Sequence, residues 1–172
     1  MKVYLAGSIP KGDKEKEKST DWRKEFKEKL SAIEGVEFLD PRDMTEFTEK
    51  PHITFGGDCM LIKKSDLIVV FAGEKLGTGT SQEMLIAKYL KKPVITILPK
   101  DTHHRRSNIV FEGNLVKEWI HPFIFSTSDL IVERAEDAIS WIKEYIINPN
   151  SKNIKDITIV DKSITNFEKN VL

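Results

Sequence analysis

The sequence has one cysteine, no excess of charge of either sign and no long apolar segment. Because Cys59 is alone among 172 residues, the chain cannot form an internal disulfide and has no second thiol for a metal site. We interpret Cys59 as a small residue on the apolar face of a helix rather than as a thiol nucleophile. There are 27 basic and 27 acidic residues, which argues against nonspecific binding to nucleic acid polymers or to a charged membrane surface.

Long apolar runs are also missing. None approaches the roughly 18 residues of a membrane span, and the chain enters a strand-like segment at once instead of a signal peptide. We therefore expect a cytoplasmic protein with no membrane association. With 40% hydrophobic residues over this length, the chain can bury one core. We expect a single domain at residues 1–147 and a polar C-terminal extension at residues 148–172.

Apolar runs of strand length alternate with amphipathic segments along the chain. Short runs bounded by glycine, proline or charged residues predict strands at residues 2–6, 36–40, 66–72, 93–99 and 123–125. Helical spacing predicts helices at residues 22–33, 58–64, 82–92, 108–119 and 131–147. This alternation predicts an α/β fold, an open five-stranded parallel sheet with helices on both faces, as in flavodoxin-like or Rossmann-like proteins. In the extension, residues 157–160 are strand-like and indicate an added edge strand or a subunit contact.

A glycine-rich turn, GTGTSQE at residues 77–83, follows the most apolar predicted strand. Such a turn presents backbone N–H groups and a positive helix end at the carboxyl edge of the sheet, where ligands bind. It lacks the lysine of a P-loop and the full spacing of a dinucleotide fingerprint. Thr80 and Glu83 also fit a capping box. From the residues alone, Glu83 is thus either a carboxylate of an active site or a capping residue.

Other polar residues also have two interpretations. Asp58 is either a helix N-cap or a carboxylate of the site. Asp40 and Arg42 follow the second predicted strand, where they line a cleft or form a structural ion pair. The basic stretch KDTHHRR at residues 100–106 holds a phosphate or pairs on the surface. Its two histidines are adjacent rather than four residues apart, so we predict no metal site.

Four motifs occur in an order that resembles a known family. They are YLAGSI at residues 4–9, Asp58 followed by SDLIVV at residues 65–70, GTSQEMLIA at residues 79–87, and KPVI at residues 92–95. This pattern resembles the nucleoside 2-deoxyribosyltransferase superfamily. The closer resemblance, over about residues 2–145, is to its branch of (deoxy)nucleoside 5′-monophosphate N-glycosidases.

The resemblance implies an enzyme that cleaves the N-glycosidic bond of a (deoxy)nucleoside 5′-monophosphate and releases free base and sugar phosphate. It implies that Glu83 attacks the anomeric carbon, that Asp58 handles the proton or orients the base, and that Tyr4 positions the nucleophile. Such a reaction needs an ionised carboxylate and a proton source but no metal or organic cofactor. The implied substrate-binding residues are Gly7, Ser8, Ile9, Lys11, Gly77, Gly79, Ser81 and Ser107.

Two further features bear on phosphate binding and on the partner. Pro10 stands where that branch has an arginine, and Lys11 follows it. Ser107 resembles a serine that such enzymes deliver from the neighbouring subunit, which implies a homodimer or a larger assembly. Arg105 or Arg106 would then supply the positive charge.

Three alternative functions remain open at this stage. A nucleoside 2-deoxyribosyltransferase would exchange bases through the same nucleophile, and a non-catalytic nucleotide-sensing module would keep the pocket without turnover. A phosphoribohydrolase also has a Gly-Thr-x-x-Glu turn, but the motifs around Tyr4 and Asp58 favour the first family.

Overall fold

The structure is a computed structural model that describes residues 1–10, 13–17, 21–31, 33–47 and 49–171. The described strands are β1 (Lys2–Ala6), β2 (Glu37–Leu39), β3 (Leu67–Phe71), β4 (Val94–Ile97), β5 (Arg105–Phe111), β6 (Asn114–Ile120) and β7 (Leu130–Val132). The described helices are α1 (Asp13–Lys16), α2 (Trp22–Leu30), α3 (Pro51–Lys64), α4 (Thr78–Tyr89), α5 (Pro122–Thr127), α6 (Ile139–Ile147) and α7 (Ile159–Val171). Short 3-10 helices lie at Pro41–Phe47, Ala135–Ala138 and Pro149–Ser151.

Five strands form a parallel sheet in the order β2-β1-β3-β4-β7. The predicted α/β fold is thereby confirmed, with a flavodoxin-like strand order in the main sheet. The strand order changes direction between β1 and β3. Ligands of open parallel sheets bind beyond the carboxyl ends of the strands at such a switch point. The strand order therefore predicts a ligand site at the loops that follow β1 and β3.

Helices cover both faces of this sheet, and the alternation of strand side chains decides which face each residue meets. Val3 and Leu5 pack in one buried cluster with residues of α2 and α6. Tyr4 and Ala6 pack in a second cluster with residues of α3, α4 and α5. Tyr4 therefore projects to the face that carries α3 and α4.

The prediction of a helix at residues 108–119 is wrong. These residues belong to an antiparallel hairpin of β5 and β6, outside the main sheet. Its turn contains Glu112 and Gly113, with φ values of 47° and 82°. Positive φ at both central residues is the geometry of a type I′ hairpin turn, which matches the twist of the two strands.

The prediction of the fifth strand at residues 123–125 is also wrong. Pro122 begins α5 at that place, and the fifth strand of the sheet is β7. Proline suits the first turn of a helix because it lacks an N–H group and has a fixed φ. The predicted helix at residues 131–147 is shorter, because its first residues belong to β7 and a 3-10 turn precedes α6.

Two further element boundaries differ from the prediction. The helix predicted at residues 58–64 is α3, which begins seven residues earlier with Pro51 in its first turn. The pair Gly56 and Gly57 lies inside this helix instead of in a loop, and a Cβ at Gly57 would lie 2.7 Å from Cε of Met44. The strand-like patch at residues 157–160 is not a strand, since it leads into α7.

Within the described ranges, no helix is both long enough and apolar enough to cross a bilayer.

Candidate active site

The candidate site is centred on a hydrogen bond between the sheet and α4. The Tyr4 hydroxyl donates to Oε1 of Glu83 over 2.7 Å. Tyr4 is fully buried in β1, and Glu83 lies in the second turn of α4. A nucleophilic carboxylate must be held in one orientation, and a hydrogen bond from a rigid central strand does this.

The start of α4 differs from the prediction and bears on one of the two interpretations of Glu83. Gly77 is the N-cap, the helix begins at Thr78, and no side chain caps it. The capping-box interpretation of Thr80 and Glu83 is therefore wrong. The carboxylate of Glu83 is bonded to Tyr4. Since no side chain caps the first turn, its N–H groups are available to an anion at the sheet edge.

Asp58 faces the same two groups from α3. It lies in the middle of that helix rather than at its start, so the N-cap interpretation is wrong. Its negative charge raises the pKa of both Tyr4 and Glu83, which places the two carboxylates within electrostatic reach of each other. Partial burial also raises the pKa of Asp58 itself, which favours its acid form.

Burial raises the pKa of Glu83 to about 7. The hydrogen bond from Tyr4 opposes this rise, the charge of Asp58 adds to it, and the charge of Arg23 opposes it. The pKa of the Tyr4 hydroxyl lies far above its ordinary value, because of burial and the nearby carboxylates. Tyr4 therefore stays protonated and acts as a hydrogen-bond donor. Glu83 titrates close to neutral pH, as is common for groups that exchange charge during catalysis.

The turn after β1 forms one side of the site. Gly7 is buried, and a Cβ there would lie 2.7 Å from the ring of Trp22, so this glycine permits close packing on an aromatic side chain. Ser8 and Ile9 are exposed at the carboxyl edge of the sheet. Lys11 lies outside the described residues.

The turn before Glu83 forms the other side. At Gly77 and Gly79 no described atom lies within 4 Å of the place where a Cβ would be. The Ser81 hydroxyl donates to the carbonyl of Thr78 over 2.9 Å, within the first turn of α4. The two glycines leave the approach to the helix N-terminus open, which suits a bulky anionic ligand.

Arg23 belongs to this site, and the sequence interpretation missed it. Its Nη1 donates to the Ser8 carbonyl over 2.9 Å, and its Nη2 donates to the Gly7 carbonyl over 2.8 Å. Only 2% of Arg23 is exposed. It lies on α2, which packs on the opposite face of the sheet from Glu83. A signal was present, because Arg23 lies three and seven residues before Phe26 and Leu30, on the buried stripe of the helix.

Asp40 and Arg42 form a structural ion pair, one of the two interpretations left open by the sequence. Arg42 Nη2 lies 2.9 Å from Oδ2 of Asp40, and Lys27 Nζ lies at the same distance. Despite the cost of burial, hydrogen bonds from these two residues lower the pKa of Asp40 to about 2. Asp40 therefore remains a carboxylate at neutral pH.

The basic stretch at residues 100–106 leads into the hairpin. Arg105 pairs with Glu118 and donates to the Leu98 carbonyl over 3.1 Å, so it has a structural partner within the protomer. Ser107 lies in β5, and its N–H donates to Oδ1 of Asp101 over 2.9 Å. The structure thus places Ser107 on the hairpin, outside the main sheet that carries Tyr4.

His104 joins the base of the hairpin to the loop before α4. Its Nε2 accepts a hydrogen bond of 2.9 Å from the N–H of Leu76, next to Gly77. Burial and the neighbouring histidines lower the pKa of His104 to about 4, so the ring is neutral at pH 7. Among the described residues, no cluster of three or more histidine, cysteine, aspartate or glutamate side chains has the arrangement of a metal site.

Comparisons with known proteins give a structural similarity without a match in sequence. No protein-family model matches the sequence, and no curated protein sequence matches it. Among solved structures, the chain is similar to the CMP N-glycosidase BcmB of Clostridium botulinum. The two are 17% identical, the match covers 83% of this chain and 99% of that one, and the TM-score is 0.47. A similarity of this size leaves the function to be decided by the residues of the site.

Proposed function

We propose that the protein cleaves the N-glycosidic bond of a (deoxy)nucleoside 5′-monophosphate, with Glu83 as nucleophile. The observation that supports this most directly is the hydrogen bond of 2.7 Å from the buried Tyr4 hydroxyl to Glu83. It lies at the switch point of a parallel sheet, next to a helix N-terminus without a side-chain cap. The resemblance of the sequence motifs to nucleotide N-glycosidases supports the same reaction.

In the first step, the carboxylate of Glu83 attacks the anomeric carbon of the sugar. The bond from this carbon to the base nitrogen breaks, and its electron pair leaves with the base. Asp58 in its acid form gives a proton to the departing base, or it orients the base for departure. The product on the enzyme is a sugar ester of Glu83, as in retaining glycosidases.

In the second step, water attacks the same carbon and the ester bond to Glu83 breaks. If Asp58 gave its proton to the base in the first step, it is now a carboxylate and accepts a proton from this water. The sugar phosphate leaves, and Glu83 regains its negative charge. The hydroxyl of Tyr4 donates to Glu83 in the free enzyme and holds the carboxylate in place.

The substrate would lie between the turn after β1 and the start of α4. Ser8 and Ile9 would contact the sugar and its 5′ end, and the first N–H groups of α4 with the open space at Gly77 and Gly79 would receive the phosphate. Ser107 would reach the site from a second subunit, which makes the proposed active unit a homodimer.

The electrostatics of the site favour an enzyme over a nucleotide sensor. Two carboxyl groups so placed that the charge of Asp58 raises the pKa of Glu83 would weaken the binding of an anionic nucleotide. A binding module gains nothing from such an arrangement. A glycosidase needs two carboxyl groups, one ionised and one able to supply a proton.

Base release from a panel of nucleosides and nucleotides tests the proposal. Ribo- and deoxyribonucleosides and their 5′-monophosphates would be incubated with the protein and with Glu83→Ala, with and without a second free base, and separated by chromatography. We expect free base and sugar phosphate without an acceptor base, and none from Glu83→Ala. A new nucleoside formed only with the acceptor would indicate a transferase. Tight binding of one nucleotide without any product would contradict catalysis.

A further inference from the structure

Arg23 is a buried cation whose hydrogen bonds hold the backbone of the candidate site. Its two terminal nitrogens donate to consecutive carbonyls, those of Gly7 and Ser8, over 2.8 and 2.9 Å. Its guanidinium carbon lies 4.7 Å from the centre of the Trp22 ring, which fixes its plane. This fork geometry is specific to arginine, since the ammonium group of lysine cannot donate two parallel hydrogen bonds.

The charges around Arg23 come from both faces of the sheet. Asp40 lies on its own side, with Oδ1 at 3.6 Å from Nε of Arg23, and Arg42 is a second cation on that side. Glu83 and Tyr4 act on Arg23 from the other side. The titration of Glu83 in turn responds to the hydrogen bond from Tyr4 and to the charges of Asp58 and Arg23. Among these groups, Arg23 is the cation whose charge lowers the pKa of Glu83, whereas the charge of Asp58 raises it.

We infer that Arg23 is a positioning residue of the site, which fixes the Gly7–Ser8 turn and brings a buried positive charge to this edge of the sheet. This inference rests on the proposed function for its catalytic consequence. Because Arg23 is nearly fully buried, we place it behind the turn and not in contact with the substrate. It acts through the turn and through its charge, from the opposite face of the sheet.

A structural role alone would have different consequences. The ion pair of Arg23 with Asp40 would then only stabilise the packing of α2 on the sheet, and its removal would lower stability without any effect on the titration of Glu83. Lys27 gives a matched control, because it pairs with the same carboxylate of Asp40 at 2.9 Å and does not contact the turn.

The experiment follows the side-chain carboxyl resonance of Glu83 by 13C NMR across pH, in the substrate-free protein. The resonance is assigned by its absence in Glu83→Gln. In Arg23→Gln we expect the titration midpoint to move upward, and in Lys27→Met we expect a smaller movement. In Asp40→Asn the midpoint should move downward, because a negative charge is removed, and this variant serves as the reference for the double variant with Arg23→Gln. Equal midpoints in Arg23→Gln and Lys27→Met would overturn the inference.

Arg23→Lys separates the charge from the two hydrogen bonds. We expect the titration midpoint of Glu83 to stay near that of the unmodified protein, while KM rises about tenfold because the Gly7–Ser8 turn is less restrained. An unchanged KM would contradict the positioning of the turn. Thermal unfolding of each variant shows that it folds. If Arg23→Gln does not fold, the double variant Arg23→Gln/Asp40→Asn removes both charges of the buried pair together. An upward movement of its midpoint relative to Asp40→Asn then supports the electrostatic role of Arg23, and no movement counts against it.

The NMR titration does not need turnover, so the two proposals fail separately. A protein with the expected midpoints but no base release would retain the electrostatic role of Arg23 and lose the glycosidase function. A protein that releases base with unchanged midpoints in all variants would retain the glycosidase function and lose the role of Arg23.

Discussion

At the scale of single residues, the surroundings of Glu83 disfavour its ionised form. Burial and a second carboxylate nearby raise its pKa, and among the residues that the structure describes, Tyr4 and Arg23 oppose the rise. A raised pKa in the folded state means that Glu83 stabilises the fold below pH 4.5 relative to neutral pH, and that this contribution is lost as the pH rises through about 7. The ionised form of Glu83, the proposed nucleophile, therefore lowers the stability of the fold.

Replacement of Glu83 by glutamine removes the free-energy cost of ionising this carboxyl group. At pH 8 we expect Glu83→Gln to increase the free energy of unfolding by about 2 kcal/mol, because glutamine keeps the bond to Tyr4 without a buried charge. The gain should disappear below about pH 4.5, where the native glutamate is protonated in both states. Urea unfolding at several pH values measures this. Equal or lower stability of the variant at pH 8 would show that the carboxylate is not strained. Activity of the same variant should be lost at every pH.

Some of the residues of the site could be predicted from the sequence and others could not. Glu83 and Tyr4 lie in short motifs at or next to predicted strands, so their place near the edge of the sheet follows from the strand assignment alone. Arg23 lies in a helix with no motif, and its contact with the Gly7 and Ser8 carbonyls depends on how α2 packs on the sheet. Long-range packing of this kind leaves only a weak periodic signal in the sequence.

At the scale of elements, the β5–β6 hairpin explains the largest error of the sequence prediction. The apolar residues Ile109, Val110 and Leu115, Val116 fit a helical stripe as well as two strands. The turn residues Glu112 and Gly113 decide between these patterns, since their positive φ values reverse the chain. Periodicity alone gives the wrong answer wherever short apolar pairs lie on each side of a tight turn.

The hydrogen bond from the N–H of Leu76 to His104 joins the hairpin to the loop before α4, and we expect this joint to be sensitive to acid. The pKa of His104 in the folded protein, about 4, lies below its ordinary value of 6.5, so the unfolded chain takes up the proton first as the pH falls. We expect stability to decrease as the pH drops from 6.5 towards 4 on this account, and no effect of His104 above pH 6.5.

Two variants test this joint. In His104→Gln the side-chain oxygen can still accept from the N–H of Leu76, but it does not titrate, so we expect a smaller loss of stability between pH 6.5 and 4. In His104→Ala the acceptor is missing, and we expect hydrogen exchange at the amide of Leu76 to be about tenfold faster at pH 7. His103→Ala is the control, because His103 is exposed. Similar exchange in both alanine variants would contradict the joint.

At the scale of the whole molecule, the C-terminal extension has two parts with different relations to the domain. The N–H of Lys155 donates to Asp129 over 2.7 Å, and its ammonium group donates to the Ser128 carbonyl over 2.6 Å. Asp129 also pairs with Lys88, which is fully buried in α4. In contrast, α7 has no buried residue. Residues 152–156 thus contribute to the stability of the domain through Lys155, whereas α7 buries no residue.

Truncation distinguishes the two parts. Removal of residues 157–172 should change the free energy of unfolding by less than about 0.5 kcal/mol, because no buried contact is lost. Removal of residues 152–172 should cost about 2–4 kcal/mol, because Asp129 loses partners beside a buried ion pair. Chemical unfolding of both forms measures the difference. Equal stability of the two truncated forms would show that Lys155 contributes nothing.

The proposed dimer gives a second prediction at this scale. If Ser107 serves the site of the partner subunit, a mixed dimer of Glu83→Gln and Ser107→Ala has one site with both native residues. Mixing equal amounts with subunit exchange should then restore about one quarter of the native activity, since half of the dimers are mixed and each has one intact site. Activity that stays at the mean of the two separate variants would place Ser107 in its own subunit's site or in neither.

The hydrogen bond between Tyr4 and Glu83 has a consequence for folding. It joins residues that are 79 positions apart, through the parallel pairing of β1 and β3. Closing so large a loop and pairing distant parallel strands are slow steps for a chain. Before that pairing, Glu83 is an ordinary solvated side chain with nothing to orient it. The proposed reaction destroys nucleotides, and the topology confines it to molecules in which the centre of the sheet has already formed.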